Sequence, residues 1–204
     1  IAECGGMLVT GGDDRLIKLW QPGTWTCVRT LEGHTGCVND LVVHGDWLLS
    51  GSDDKTVRVW DRTSWECLRV VQTGHTGGVL SLAVHDGKLY CGGGLRDPTI
   101  RVIDTTTWAS VGVMEGHTST VWQLLVREDK LFSCSHDKTI KCWSTGEGRA
   151  CEQTMEGHTN WVYTIAMCGD KLVSGSDDET VRVWGMDQGT VRLQCERVLE
   201  DHSE

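Results

Sequence analysis

The chain has 204 residues, 39% of them hydrophobic and 24% charged, enough for one domain or at most two small ones. Its 19 Lys and Arg stand against 29 Asp and Glu, a formal net charge of -10 with no basic run to offset it. That balance excludes nucleic acid and anionic lipid as expected partners, and no apolar run approaches the roughly 18–20 residues of a membrane-spanning helix.

The chain opens on Ile1-Ala2-Glu3-Cys4, which carries none of the marks of a secretory leader. A first unit ends in a strand marked by Trp20, six residues after Asp14. The pattern is complete from Gly33-His34 onward. Alternating Val38, Leu41 and Val43 predict an inner strand, and Leu48-Leu49 lead into a second. The turn at Asp53-Asp54-Lys55 joins it to a third strand, Thr56 to Trp60, and a fourth carries Cys67 to Val70. The Gly-His pair then returns as Gly74-His75, Gly116-His117 and Gly157-His158, so the histidines are 41, 42 and 41 residues apart. Sixteen residues after each histidine stand Ser50, Cys91, Ser133 and Ser174. Six residues after the second turn aspartate stands a tryptophan, as in Asp54 to Trp60, Asp137 to Trp143 and Asp178 to Trp184. Four short strands in each unit of about 41 residues predict an all-β chain of radially repeated blades.

The unit after His75 departs from the pattern. It has Cys91 at the hydroxyl position, Ile103 at the tryptophan position, and a turn from Gly92 to Pro98 that is two residues longer than its counterparts. Without a Gly-Lys-Ser/Thr ending or a following helix, this glycine run is not a phosphate loop. It is read as loop variation, with presentation of Arg96 to a partner as the functional alternative. Ten cysteines could frame a disulfide protein. However, Cys27, Cys67, Cys151 and Cys195 fall at one repeated strand position and read as small core residues with free thiols. With no tight Cys-x-x-Cys pair, no metal is expected, and the expected compartment is reducing: cytoplasm, or nucleus.

These spacings resemble the WD-repeat family over essentially the whole chain. The Trp-Asp dipeptide itself survives only as Trp60-Asp61, with Trp20-Gln21, Ile103-Asp104, Trp143-Ser144 and Trp184-Gly185 elsewhere. The resemblance implies a β-propeller of four-stranded blades, with five units visible at about 1–31, 32–72, 73–114, 115–155 and 156–199. Residues 200–204, where Leu199-Glu200-Asp201-His202 echoes Leu31-Glu32-Gly33-His34, read as the start of a further unit. The expectation is a segment of a larger ring, seven blades being usual in the family; a complete ring of five is the alternative. The resemblance also implies buried networks at His34, Ser50, Asp54 and Trp60, at His117, Ser133, Asp137 and Trp143, and at His158, Ser174, Asp178 and Trp184. An imidazole held between a carboxylate, a hydroxyl and an indole N–H can satisfy every polar group involved. Such sets look like Ser-His-Asp machinery, but they recur in three units whereas catalysis needs one exposed site. No catalytic residue and no cofactor are expected.

In the family, the loops that lead into the blades share one face with the turns between second and third strands. Three residues after the histidine lie Cys37, Gly78, Thr120 and Trp161; five after it lie Asn39, Leu80, Trp122 and Tyr163. The candidate partner-binding residues are Trp161, Asn160, Tyr163, Trp122 and Arg96, because exposed aromatics and arginines are favoured anchors. Packing between blades is the competing reading of the three aromatics. Asp13, Asp53, His136 and Asp177 in the turns, next to Arg15, Lys55, Lys138 and Glu179, make the face mixed with an acidic lean, suited to a ligand offering Arg or Lys beside an apolar anchor. The Ser-Gly-Ser turns and the run Gly116 to Val121 look like the F-box propellers that read phosphorylated degradation signals. The arginines those proteins carry five residues after the histidine, and just before the turn aspartate, are absent here. The expected function is a non-catalytic protein-protein interaction scaffold within a larger intracellular protein, with substrate recognition for a ubiquitin ligase as the alternative. Trp25, Trp65 and Trp108 are expected on the opposite face, packing the hairpin between third and fourth strands.

Overall fold

Short runs of period-two alternation, broken by Gly, Asp and Asn, are too brief for helices and bury one side chain in two on each sheet face. The computed structural model describes residues 1–146, 148–186 and 192–200. Twenty strands form five antiparallel sheets, each made of four consecutive strands in chain order. Blade 1 comprises Ala2–Cys4, Met7–Gly11, Ile17–Gln21 and Thr26–Leu31. Blade 2 comprises Val38–His44, Trp47–Ser52, Thr56–Asp61 and Cys67–Gln72, and blade 3 Val79–His85, Lys88–Gly93, Ile100–Asp104 and Ser110–Met114. Blade 4 comprises Val121–Arg127, Lys130–Ser135, Ile140–Ser144 and Cys151–Met155, and blade 5 Val162–Cys168, Lys171–Ser176, Val181–Met186 and Leu193–Leu199. The first strands of successive blades lie side by side, so the lead-in loops gather at one end of the arc.

The core lies between blades. Leu48, facing back, joins Val9, Ile17 and Leu19 of blade 1, while its neighbour Leu49 faces forward onto Val79 and Leu82 of blade 3. The same division recurs at the next two interfaces, built around Tyr90 with Leu124 and Phe132 with Ile165. A glycine on the second strand makes room for the first valine of the following blade. A Cβ built at Gly51 would lie 2.8 Å from Val79 Cγ1, and one at Gly92 would lie 3.1 Å from Val121 Cγ1. Gly51→Ala is therefore expected to overpack this joint, costing about 1–3 kcal/mol and lowering the Tm by several degrees in a calorimetric scan. Gly175→Ala is the control: the added carbon meets only the Thr164 methyl, so its Tm should fall less. An equal fall in both would disprove the socket.

On blade 5 the forward face is less covered: Val173, Val181 and Val183 are only part-buried, whereas their counterparts Leu49, Val57 and Val59 are buried. Two expectations need correction. Cys27, Cys67, Cys151 and Cys195 are exposed, not core. They sit on fourth strands at the rim, where both faces see solvent. The buried thiols are Cys4, Cys91, Cys134 and Cys142, and burial pushes Cys134 up to about 12 and Cys142 up to about 11. Trp65 and Trp108 pack against the cluster shared with the preceding blade, and Trp108 meets Trp47 at a 5.4 Å ring separation. Their turns take positive φ, 62° at Trp65 and 58° at Trp108, which swings each ring off its own hairpin toward that neighbour. Trp25 repeats the turn but is 63% exposed, with no preceding blade among the described residues. Asp201 and His202, read as the start of a further unit, lie outside the described residues.

Candidate functional site

Each complete network ties the lead-in loop of a blade to its own second and third strands. In blade 4, His117 Nδ1 lies 2.7 Å from Asp137 Oδ2, His117 Nε2 lies 2.7 Å from Ser133 Oγ, and Trp143 Nε1–H donates to Ser133 Oγ at 2.8 Å. Blade 2 repeats this with His34, Asp54, Ser50 and Trp60 at 2.7, 2.7 and 2.9 Å. Blade 5 does so with His158, Asp178, Ser174 and Trp184 at 2.8, 2.7 and 2.8 Å. One proton arrangement satisfies all of it: the imidazole donates from Nδ1 to the carboxylate, the serine donates to Nε2, and the indole donates to the serine. Burial pushes Asp54 up, but donors at Thr56 Oγ1, Thr35 N and His34 outweigh it and hold the carboxyl at about 2. Burial likewise pushes His34 and His158 below 6.5, so these rings stay neutral beside ionised aspartates. The atoms match a Ser-His-Asp set, yet each serine is at most 1% exposed and its oxygen already accepts from tryptophan. No substrate carbonyl can reach it. Among the described residues, no group of three His, Cys, Asp or Glu side chains could hold a metal.

Blade 3 keeps part of the network in another form. With Cys91 in place of serine, His75 Nε2 meets the Cys91 carbonyl at 3.0 Å. Asp97 plays the aspartate, accepting from Thr76 N at 2.9 Å and Thr99 Oγ1 at 2.6 Å and pairing with Arg101 at 3.2 Å. The two-residue insertion places Asp97 22 residues after its histidine, against 20 for the His34–Asp54 pair, which is why counting offsets missed it.

A second system, also missed, links the inner strands. Six residues after the histidine stand Asp40, Ser81, Gln123 and Thr164. Asp40 Oδ2 accepts from Leu82 N of blade 3 at 2.7 Å, and Ser81 Oγ accepts from Leu124 N of blade 4 at 2.9 Å. Gln123 Oε1 accepts from Ile165 N of blade 5 at 2.9 Å. Where the blades splay, these oxygens replace the carbonyls that a continuous sheet would offer.

The lead-in loops and turns do share a face, and it brings together three of the five named candidates. Trp122, Trp161 and Tyr163 meet His136, which enters from the turn of blade 4. Trp161 stacks on His136 at 3.9 Å and 27°, Trp122 meets His136 edge-on at 5.2 Å, and Tyr163 lies 5.5 Å from Trp122. Trp161 is 40% exposed and Tyr163 39%, so packing between blades and exposure hold together here. Asn160, the fourth candidate, donates to Asp177 Oδ2 at 2.7 Å and fixes the turn beside the cluster. Burial pushes His136 below its ordinary value, with Asp177 pulling the other way. Arg96, the fifth, is not part of the cluster but lines an adjoining pocket of about 410 Å³ with Leu80, Leu95, Trp122, Thr120, His136 and Asp53. A second hollow of about 350 Å³, more polar and walled by Asn39, Asp40, Gln123 and Tyr163, adjoins it through Leu80 and Trp122. The pocket exists because Gly77, Gly78 and Gly94 stand where side chains would fill it.

Comparison with known proteins agrees with this architecture. The family described as "WD domain, G-beta repeat" matches residues 2–21, 25–61, 65–104, 108–144 and 149–185. The chain is similar to the nuclear distribution protein PAC1 of Candida glabrata, 38% identical over 76 residues, covering 29% of this chain and 16% of that protein. It is 30% identical over 132 residues to pre-mRNA-processing factor 19 of Oryza sativa subsp. japonica, covering 62% of this chain and 25% of that protein. It is 27% identical over 146 residues to the target of rapamycin complex subunit wat1 of Schizosaccharomyces pombe, covering 69% and 46%. The chain thus spans less than half the length of these relatives.

Proposed function

Because the chain belongs to the WD domain, G-beta repeat family, we propose that it is a non-catalytic docking module within a longer intracellular protein, and that it receives partner proteins on the face of lead-in loops and turns. The observation that carries this reading is the cluster of Trp122, His136, Trp161 and Tyr163, half-exposed and confined to blades 4 and 5. The equivalent positions in blades 2 and 3 hold Cys37, Gly78, Asn39 and Leu80. A feature that breaks the repeat serves something other than the repeat. Rigid aromatic rings bury large area at low entropic cost, and Asp177 and Asp53 beside them favour a partner segment with a basic side chain next to an apolar one. The location that goes with this reading is the cytoplasm or nucleus, supported by the buried thiols of Cys91 and Cys134, which act as small core residues.

The test is affinity purification of the full-length protein from its own cells, wild type against Trp161→Ala, with mass spectrometry of what is retained. At least one partner is expected to fall about tenfold or more, as a hot-spot truncation costs 2 kcal/mol or above, while the Tm stays within about 2 °C because the ring is already half in water. An unchanged set of partners would refute docking at this cluster. A place in a ubiquitin-ligase complex is the narrower form of the proposal, and ligase subunits among the captured proteins would mark it.

A further inference from the structure

The pocket beside the aromatic cluster is lined by side chains of unlike charge at fixed places. Arg96 is the one cation among its lining residues and stands on the blade 3 side. It is exposed, and the neighbouring Asp97 pairs instead with Arg101, which leaves the Arg96 guanidinium without an ion pair among the described residues. Leu95, 73% exposed, extends the same turn as an apolar lip. The turn is held from below rather than free: Gly94 N–H donates to Gly78 O at 3.0 Å, Asp97 N–H to Gly94 O at 2.9 Å, and Thr76 Oγ1–H to the Arg96 carbonyl at 3.0 Å. The extra two residues of blade 3 therefore build a fixed platform that presents Arg96 at the pocket. On the far side of the pocket, beyond Trp122 and His136, Asp177 orients Asn160.

We propose that this face reads an extended partner segment in one register: an acidic side chain at Arg96, an apolar side chain in the pocket of Leu80, Trp122 and His136, and a basic side chain over Trp161 and Asp177. The inference rests on the docking function proposed above and adds the acidic position and the order. A pocket of about 410 Å³ holds a large aliphatic or aromatic side chain with room for its backbone. Asp53, which also lines the pocket, accepts from Asn39 Nδ2 at 2.8 Å. Its charge disfavours a ligand acid beside it whereas Arg96 favours one, so Arg96 is the residue that sets the acidic position.

The test is selection of a phage-displayed library of random internal peptides on the whole chain, in wild type and Arg96→Glu, followed by titration of the enriched peptides as blocked synthetic segments. Wild type is expected to enrich an acidic, an apolar and a basic residue in constant order. Arg96→Glu is expected to replace the acidic preference by a basic one, keep the other two, and weaken the wild-type peptides about tenfold, as reversal of a single interface charge does. Because the Arg96 side chain is exposed and unpaired, the variant should melt with wild type. Enrichment of apolar and basic residues alone, or an acidic preference untouched by Arg96→Glu, would overturn the register while leaving the docking face intact. No enrichment on wild type would overturn both.

Discussion

Asp137→Ala is expected to cost the chain about 3 kcal/mol, lowering the Tm by roughly 6–12 °C for a domain of this size. The carboxylate accepts from four donors at once: His117 Nδ1, Thr118 N at 3.0 Å, Thr139 N at 3.0 Å and Thr139 Oγ1 at 2.6 Å. Alanine leaves them unpaired in a part-buried turn, and an unsatisfied buried donor costs more than a made hydrogen bond contributes. The damage should also spread along the proton chain. Without the carboxylate, nothing fixes His117 with its proton on Nδ1, and Ser133 and Trp143 lose the acceptor order that satisfied them. A double-mutant cycle with His117→Phe separates network from local turn. If the four groups act together, Asp137→Ala should cost markedly less once the imidazole is gone. Additive costs, or an unchanged melt for the single variant, would show that the distances join groups that contribute nothing together.

This network was legible in the sequence because identical residue types recur at constant offsets, and because a buried imidazole needs partners of a particular chemistry. The blades were legible for the same reason: Ser50-Gly51-Ser52-Asp53-Asp54 and Ser174-Gly175-Ser176-Asp177-Asp178 are nearly one phrase. What the sequence hid falls into two kinds. Asp40, Ser81 and Gln123 do one job with three side chains of different length, each adjusted to the gap between its own pair of blades. Repetition of a role without repetition of a residue leaves no signal. Cys27 and its equivalents fail the other way, since their regular recurrence beside a third-strand tryptophan looks like core until the fourth strand is seen to lie at the rim. The aromatic cluster stands between these. Trp122, Trp161 and Tyr163 could be named from their offsets, but His136, the ring that joins them, is a turn residue whose meaning comes only from the blade packed beside it.

Acid is expected to unfold this protein in two stages, and the sign follows from the two kinds of buried group. Burial pushes His34, His75 and His158 below 6.5, so the unfolded chain takes up protons there before the folded one does. Stability that these neutral rings contribute is therefore full above about pH 6.5 and drains as the pH falls below it. The aspartates act lower down. Asp54 is held at about 2, and Asp137 and Asp178 also lie well below the ordinary carboxylate value because the imidazole, threonine hydroxyl and backbone donors outweigh the burial that pushes them up. Their contribution is complete above about pH 4 and is lost as pH falls through the folded values, on the order of 1–2 kcal/mol for each blade after allowance for solvent screening. One group opposes the trend: burial raises Asp40, which favours the fold slightly as it protonates. Three aspartates and three histidines outweigh it. Melts in about 0.5 M salt, where the repulsion within a chain of net charge -10 is screened, should show Tm falling from pH 7 to 5 and more steeply from pH 4 to 2. A Tm that stayed level between pH 6.5 and 5 would mean that the buried rings of His34 and His158 are already charged, and the proton arrangement drawn through Ser50 and Ser174 would have to be reversed.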